Sequence, residues 1–183
     1  MNNVRNNYLK RLKKFIFDDN WIEPPLLINN RNKVLRFDIE SKSETDSVKL
    51  IKNIFDDIFY VNSEMFIIFY GYKWHCWKQG KKYFKKFSLN KIFYTGYASK
   101  SDELDDAYPY IVVCLTKRNK LKMNKYLLDY LSDEQSCQMA FISLKKGAAI
   151  QMYDSRGLDL LSLDNKLLSF FRAKYKSYID DEF

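Results

Sequence analysis

Residues 148–162 read AAIQMYDSRGLDLLS, an apolar segment, a short polar turn and a second apolar segment. Before the turn, Ile150 and Met152 recur at the period of a half-buried strand, and the apolar pattern resumes at Leu158. Residues 154–157 have turn chemistry, because Asp and Ser hydrogen-bond their own backbone and Gly adopts positive φ without steric cost. The stretch therefore predicts a β-hairpin around which the rest of the chain packs.

Hydrophobic periodicity elsewhere predicts an α+β fold: a single domain over residues 1–183 with an antiparallel-rich central sheet, helices packed on it and a C-terminal helix. Helices are expected over residues 1–17 and near 47–59, and Thr45 or Ser47 is expected to cap the second. The remaining predicted elements are strands at 34–39, 65–74, 108–116 and 137–144, a helix over 121–131 and a turn at 145–147.

The C-terminal helix is predicted to begin at a capping aspartate, Asp164. Apolar residues then recur three and four positions apart, which is typical of a helix with one face on a core. The aromatic residues expected in the core are Phe170, Phe171, Tyr175 and Tyr178.

Length and composition point to a globular protein in a reducing compartment. At 183 residues, 46% of them hydrophobic and 17% aromatic, the chain is able to bury a core and is not expected to be disordered. Its three cysteines are odd in number and widely spaced, so neither a disulfide framework nor a zinc site is indicated. No signal-peptide core and no apolar run near ~20 residues is found, so a cytoplasmic protein without a membrane partner is expected.

The net charge of +8 is distributed in blocks. Residues 65–100 hold eight lysines and no acidic residue, and aromatic side chains interrupt the lysines between 73 and 91. Such a patch suits a nucleic-acid backbone, a protein-binding face or an ordinary solvated face. The candidate partner-binding residues are Lys78, Lys81, Lys82, Tyr83, Lys85 and Lys86, and, in the following acidic block, Asp102, Glu103, Asp105 and Asp106.

The candidate catalytic residues are better explained by structural roles than by catalysis. Asp154, Arg156 and Asp159 form a cluster of the kind that binds phosphate or supports acid–base chemistry, but a hairpin turn also uses these residue types. The single histidine, His75, has no second histidine to complete a metal site, and its neighbour Cys76 points to the opposite face of a strand. Glycine-rich phosphate loops and metalloprotease motifs are absent from the sequence. Neither an enzyme nor a cofactor or metal is expected.

The hairpin carries a motif formed by Tyr153, Asp154, Arg156, Gly157 and Asp159. It resembles the Tyr-Asp-Asp-Arg-Gly-x-Asp hairpin of an uncharacterised bacterial domain family, with a serine at the second Asp position. Upstream, the segment Leu35-Arg36-Phe37-Asp38 looks like that family's Arg-Phe-acid strand, and the helix near 47–59 is in the expected place.

The resemblance implies a fold and a class of function. Domains of this kind are similar to cytoplasmic immunity proteins that neutralise a cognate toxin in contact-dependent growth inhibition or similar polymorphic toxin systems. The implied activity is non-enzymatic binding of a toxin domain, through the acidic block if the toxin is a basic nuclease or through the lysine patch if it is acidic; the net charge of +8 weakens the first version. A nucleic-acid-binding module using residues 73–91 is the alternative, and an enzyme using the hairpin cluster ranks third.

Overall fold

The fold was analysed in a computed structural model that describes residues 7, 8, 11, 12, 33–71, 92–97, 110–121, 127, 131, 138–154 and 157–180. Seven strands and two α-helices have their full extent within these residues. They are β1 (Val34–Asp38), α1 (Glu44–Ile58), β2 (Glu64–Gly71), β3 (Ile92–Tyr97), β4 (Tyr110–Lys117), β5 (Gln138–Ser143), β6 (Ala148–Asp154), β7 (Gly157–Ser162) and α2 (Asn165–Lys174).

All seven strands form one sheet in the order β1-β7-β6-β5-β2-β4-β3, and every neighbouring pair is antiparallel. Strands β5, β6 and β7 form a meander joined by short turns, while β2 lies between β5 and β4 although it precedes both in sequence. The α+β fold with an antiparallel sheet and a C-terminal helix is therefore confirmed.

The predicted hairpin is formed by β6 and β7. Ile150 pairs with Leu160, the ladder is irregular between Met152 and Asp154, and Asp154 pairs with Gly157 across the turn. All six residues of β7 are buried, because the strand lies between β1 and β6 and both of its faces are covered.

Each face of the sheet carries a hydrophobic core. On the helix face, α1 and α2 pack through residues such as Phe55, whose ring lies 4.9 Å from that of Phe141 in β5. The opposite face packs against Leu12, which is 1% exposed, and against Tyr8. Residues 7, 8, 11 and 12 are helical, in agreement with the predicted first helix.

The start of α1 differs from the prediction. Its N-cap is Ser43, whose hydroxyl accepts the backbone N–H of Asp46 at 3.2 Å, so Thr45 lies inside the helix. Ser47 is buried and donates its hydroxyl to the Ile39 carbonyl at 3.2 Å. The prediction of a cap at Thr45 or Ser47 was wrong because Ser43 has the extended backbone that a capping residue needs.

The predicted cap of α2 is confirmed, since the Asp164 carboxylate accepts the backbone N–H of Lys166 at 2.9 Å. Phe171 and Tyr175 are buried as expected, and Tyr178 is partly buried. Phe170 was wrongly expected in the core: its side chain is 46% exposed, because the residue before Phe171 on the helix faces away from the sheet.

The chain after α2 returns to the edge of the sheet. Ile179 forms an antiparallel bridge with Phe37 of β1, and the backbone N–H of Asp180 donates to the Arg36 carbonyl at 3.0 Å. β1 thus has backbone partners on both sides.

Candidate functional site

Several residues singled out in the sequence lie outside the described part of the chain. The side chains of Tyr153 and Asp154 belong to this set, although their backbone is part of β6. The others are Lys78, Lys81, Lys82, Tyr83, Lys85, Lys86, Asp102, Glu103, Asp105, Asp106 and Arg156.

Asp159 of the hairpin motif forms an ion pair with Arg36. The Arg36 guanidinium donates from Nε to one carboxylate oxygen at 2.9 Å and from a terminal nitrogen to the other at 3.1 Å. The two residues are directly opposite in the β1–β7 register, and their side chains are 14% and 0% exposed. This bidentate geometry neutralises a carboxylate that is fully inside the protein.

The ion pair belongs to a buried polar row on the face of the sheet opposite the helices. Gln151 of β6 pairs with Asp159 in the register and is 1% exposed, so the row crosses β1, β7 and β6. An acid or base must come within hydrogen-bond reach of its substrate, whereas Asp159 presents no surface to solvent. The geometry therefore favours a structural role for Asp159.

An exposed cluster lies at one end of the sheet, and we call it the Tyr60 surface: Tyr60, Val61, Lys145, Lys146 and Leu163. The three hydrophobic members are 54%, 71% and 42% exposed, in the order Tyr60, Val61 and Leu163. The ammonium nitrogens of Lys145 and Lys146 lie 5.9 and 4.9 Å from the centre of the Tyr60 ring. Both distances are within the range of a cation–π contact.

Three short connections build this surface. The segment after α1 turns tightly, with the Ser63 backbone N–H and hydroxyl donating to the Tyr60 carbonyl at 2.8 and 2.9 Å. The two lysines lie in the β5–β6 turn, which ends at Gly147 with φ +62°. Leu163, just after β7, donates its backbone N–H to the Gly147 carbonyl at 2.9 Å, which brings it beside the lysine turn.

An open groove of about 610 Å³ adjoins the Tyr60 surface on the face that carries Leu12. Among its lining residues, Arg11 donates to the Leu144 carbonyl at 2.8 Å, and the Tyr8 hydroxyl donates to the Glu64 carboxylate at 3.3 Å. Tyr60 and Lys145 also line the groove. The groove is therefore lined by two phenols, a guanidinium, an ammonium group and one carboxylate.

The charges of the site shift two phenol groups in opposite directions. A hydrogen bond with Lys146 and the charge of that lysine lower the pKa of Tyr60. The charge of Glu64 raises the pKa of Tyr8. The Tyr60 end of the groove is thus electropositive.

The family model described as a domain of unknown function, DUF3885, matches residues 9–182. The chain belongs to this family. The DUF3885 match spans both the Arg36–Asp159 pair and the Tyr60 surface. No curated protein and no solved structure matches the chain. Among the helices that the structure describes, none combines the length and the apolar character needed to cross a membrane.

Sequence reasoning on this DUF3885 domain missed the two most informative arrangements. Arg36 was noticed only as part of a strand, and the signal that was available is the position of an arginine within an otherwise apolar β segment. Tyr60 was not singled out, although the turn that carries Lys145 and Lys146 was predicted correctly. Both arrangements join residues that are far apart in the sequence.

Proposed function

We propose that this DUF3885 protein is a cytoplasmic immunity protein that binds and neutralises a cognate bacterial toxin domain without catalysing a reaction. The proposal combines the resemblance of the hairpin motif with one structural observation, the exposed Tyr60 ring flanked by Lys145 and Lys146. Tyrosine is enriched among the residues that supply most of the affinity of protein interfaces.

The neighbours of Tyr60 support a protein partner. Val61 and Leu163 are among the few large hydrophobic side chains exposed in the described part of the chain. Aliphatic groups beside an aromatic ring gain free energy when a partner covers them, and the lysines supply charge complementarity and a faster association rate. The surface thus combines the features that a specific inhibitor needs.

The scaffold beneath the surface favours a preformed interface. Tyr60 follows directly on the buried Phe59, and the lysine turn joins two strands that are paired along their length. Residues held in this way lose little conformational entropy on binding, which raises affinity.

The first experiment tests capture of a neighbouring toxin. The tagged full-length protein is mixed with the product of the open reading frame just upstream of its gene, and Kd is measured. We expect a stable complex with the C-terminal domain of a large secreted protein and rescue of growth when the two are co-expressed. A neighbouring product that neither binds nor inhibits growth contradicts the proposal.

A matched pair of variants locates the interface. Tyr60→Ala is expected to raise Kd at least ~30-fold, which is the scale of an interface hot spot. Phe170→Ala is the control, since Phe170 is 46% exposed and has its own lysine, Lys174, 5.4 Å from the ring centre. Equal Kd values for the two variants exclude the Tyr60 surface as the interface.

Nucleic-acid binding is the second candidate, and the same observation favours it, because an aromatic ring beside lysines is also able to stack a base and contact phosphate. Ionic strength separates the two functions. The affinity for phosphates falls as salt rises, so that log Kd increases linearly with the logarithm of the salt concentration. The Kd of a packed protein interface is less sensitive to salt. Retention of a single-stranded oligonucleotide at low salt, together with failure to bind the upstream product, selects this alternative.

A further inference from the structure

We propose that the groove beside the Tyr60 surface receives an acidic segment of the partner protein, with aspartate or glutamate carboxylates bound by Lys145, Lys146 and Arg11. This inference rests on the proposed function and adds the chemistry of the partner to it. The juxtaposition that carries it is a cationic rim, an exposed aromatic ring and an open volume of about 610 Å³ at one end of the sheet.

The cationic groups have donors left for a ligand. Within the residues that the structure describes, the side chains of Lys145 and Lys146 form no ion pair, and both ammonium groups contact Tyr60. Arg11 uses a terminal nitrogen to bind the Leu144 carbonyl, which fixes its side chain at the groove. A guanidinium has five N–H donors, so the remaining ones are suited to a carboxylate.

The acidic group of the groove is already engaged. Glu64 accepts the Tyr8 hydroxyl at 3.3 Å, and its register partner on β4 is Lys117. The groove and the adjoining turn therefore hold Arg11, Lys145 and Lys146 against this one carboxylate among the described residues. The balance favours an anionic occupant over a cationic one.

The aliphatic members of the surface favour a polypeptide as the source of the anion. Val61, which follows Tyr60 in the chain, and Leu163, which lies beside the lysine turn, are 71% and 42% exposed. An acidic peptide segment brings apolar atoms that cover them, whereas a nucleic-acid strand presents mainly phosphates, sugars and bases. The carboxylates of a protein are therefore the occupant to which the observations point.

The test uses defined probes on the full-length chain at low salt: a fluorescent deca-glutamate peptide, a deca-lysine peptide and a deca-thymidine oligonucleotide. We expect the glutamate peptide to bind and the lysine peptide not to bind. The double variant Lys145→Glu, Lys146→Glu is expected to raise the Kd for the glutamate peptide at least ~10-fold, which corresponds to a loss of about 1.4 kcal/mol in binding free energy.

The control variant Lys166→Glu, Lys176→Glu has the same net charge but changes exposed lysines on α2 and just after it. It is expected to keep the affinity within about twofold, since exposed charges far from the ligand are screened. The proposal is overturned if the two double variants lose affinity for deca-glutamate equally. It is also overturned if the protein does not bind deca-glutamate, or if it binds deca-thymidine more tightly.

The two proposals fail in different ways. If the upstream product binds with a Kd that depends on Tyr60 but not on Lys145 and Lys146, the acidic-segment inference is wrong and the proposed function remains. If the upstream product does not bind at all, the proposed function itself is wrong whatever the peptides do.

Discussion

Arg36 and Asp159 lie opposite each other on β1 and β7, 123 positions apart in the sequence, and are joined by two hydrogen bonds of 2.9 and 3.1 Å. The carboxylate is fully buried and the guanidinium is largely buried. Asp159, a residue of the hairpin motif, thereby holds β1 to the neighbouring strand β7 through charge as well as through the backbone ladder.

The ion pair leads to a stability prediction. Asp159→Asn keeps the shape of the side chain but leaves Arg36 mostly buried beside a neutral group, and we expect a loss of about 3 kcal/mol in the free energy of unfolding. Asp56→Asn is the matched control, because Asp56 also accepts from an arginine, Arg118, at 2.7 Å but is 63% exposed.

The control is expected to cost less than about 1 kcal/mol, as exposed ion pairs do. Urea unfolding followed by circular dichroism measures both values. If the two variants lose the same free energy of unfolding, burial does not decide how much the Arg36–Asp159 ion pair stabilises the fold.

The thiol of Cys114 on β4 provides a pH-dependent test. The residue is fully buried, and burial raises the pKa of its thiol from 9.0 to about 12. Above pH 9 the unfolded chain ionises this thiol while the folded protein does not, so the stability that the neutral thiol contributes below pH 9 is lost as pH rises toward 12.

We therefore expect the wild type to lose stability relative to Cys114→Ala by about 1.4 kcal/mol per pH unit above pH 9. Unfolding in urea at two pH values on either side of 9 measures the difference, and the other two cysteines cancel because both proteins contain them. A difference that does not change with pH shows that the thiol ionises equally in both states.

Gly147 separates backbone strain from steric crowding. Its φ of +62° is unfavourable for residues with a side chain, but among the described residues an added Cβ meets the Leu163 Cβ alone, at 3.8 Å, which is an ordinary contact. Gly147→Ala is expected to cost about 1 kcal/mol, and Gly147→Asn less, because asparagine tolerates this conformation. Thermal or urea unfolding compares the three proteins, and a larger loss for Asn than for Ala excludes backbone strain as the cause.

The contact between Tyr60 and Lys146 is accessible to titration. Lys146 lowers the pKa of the Tyr60 phenol, so Lys146→Ala is expected to raise that pKa toward its ordinary value. NMR of ring-labelled tyrosine measures it, with Tyr60→Phe identifying the signal. Lys166→Ala, on α2, is expected to leave the titration unchanged; a shift of the same size in this variant attributes the effect to net charge alone.

The elements that sequence predicted correctly are those with local causes. The β6–β7 hairpin has alternating apolar residues and turn chemistry in one continuous stretch, and Asp164 caps α2 from the adjacent position. No strand was predicted over the residues of β3, Ile92–Tyr97, which directly follow the lysine-rich segment. The cap of α1 was misplaced by a few residues because several serines and threonines in that segment suit the role.

The candidate site depended on contacts that no local pattern encodes. The Tyr60 surface joins the end of α1, the β5–β6 turn and the residue after β7, and these meet only because β2 lies beside β5 in the sheet. Cross-strand order is set by the packing of both cores and not by any short segment.

The sequence by itself determined the α+β class, the hairpin and the start of the last helix, since propensity, periodicity and capping act over a few residues. Only the tertiary structure decided that Asp159 pairs with Arg36, that β1 lies beside β7 and that two lysines from a distant turn lie over the Tyr60 ring. These arrangements depend on burial and on long-range pairing, whose free energy belongs to the assembled fold and not to any segment of the chain.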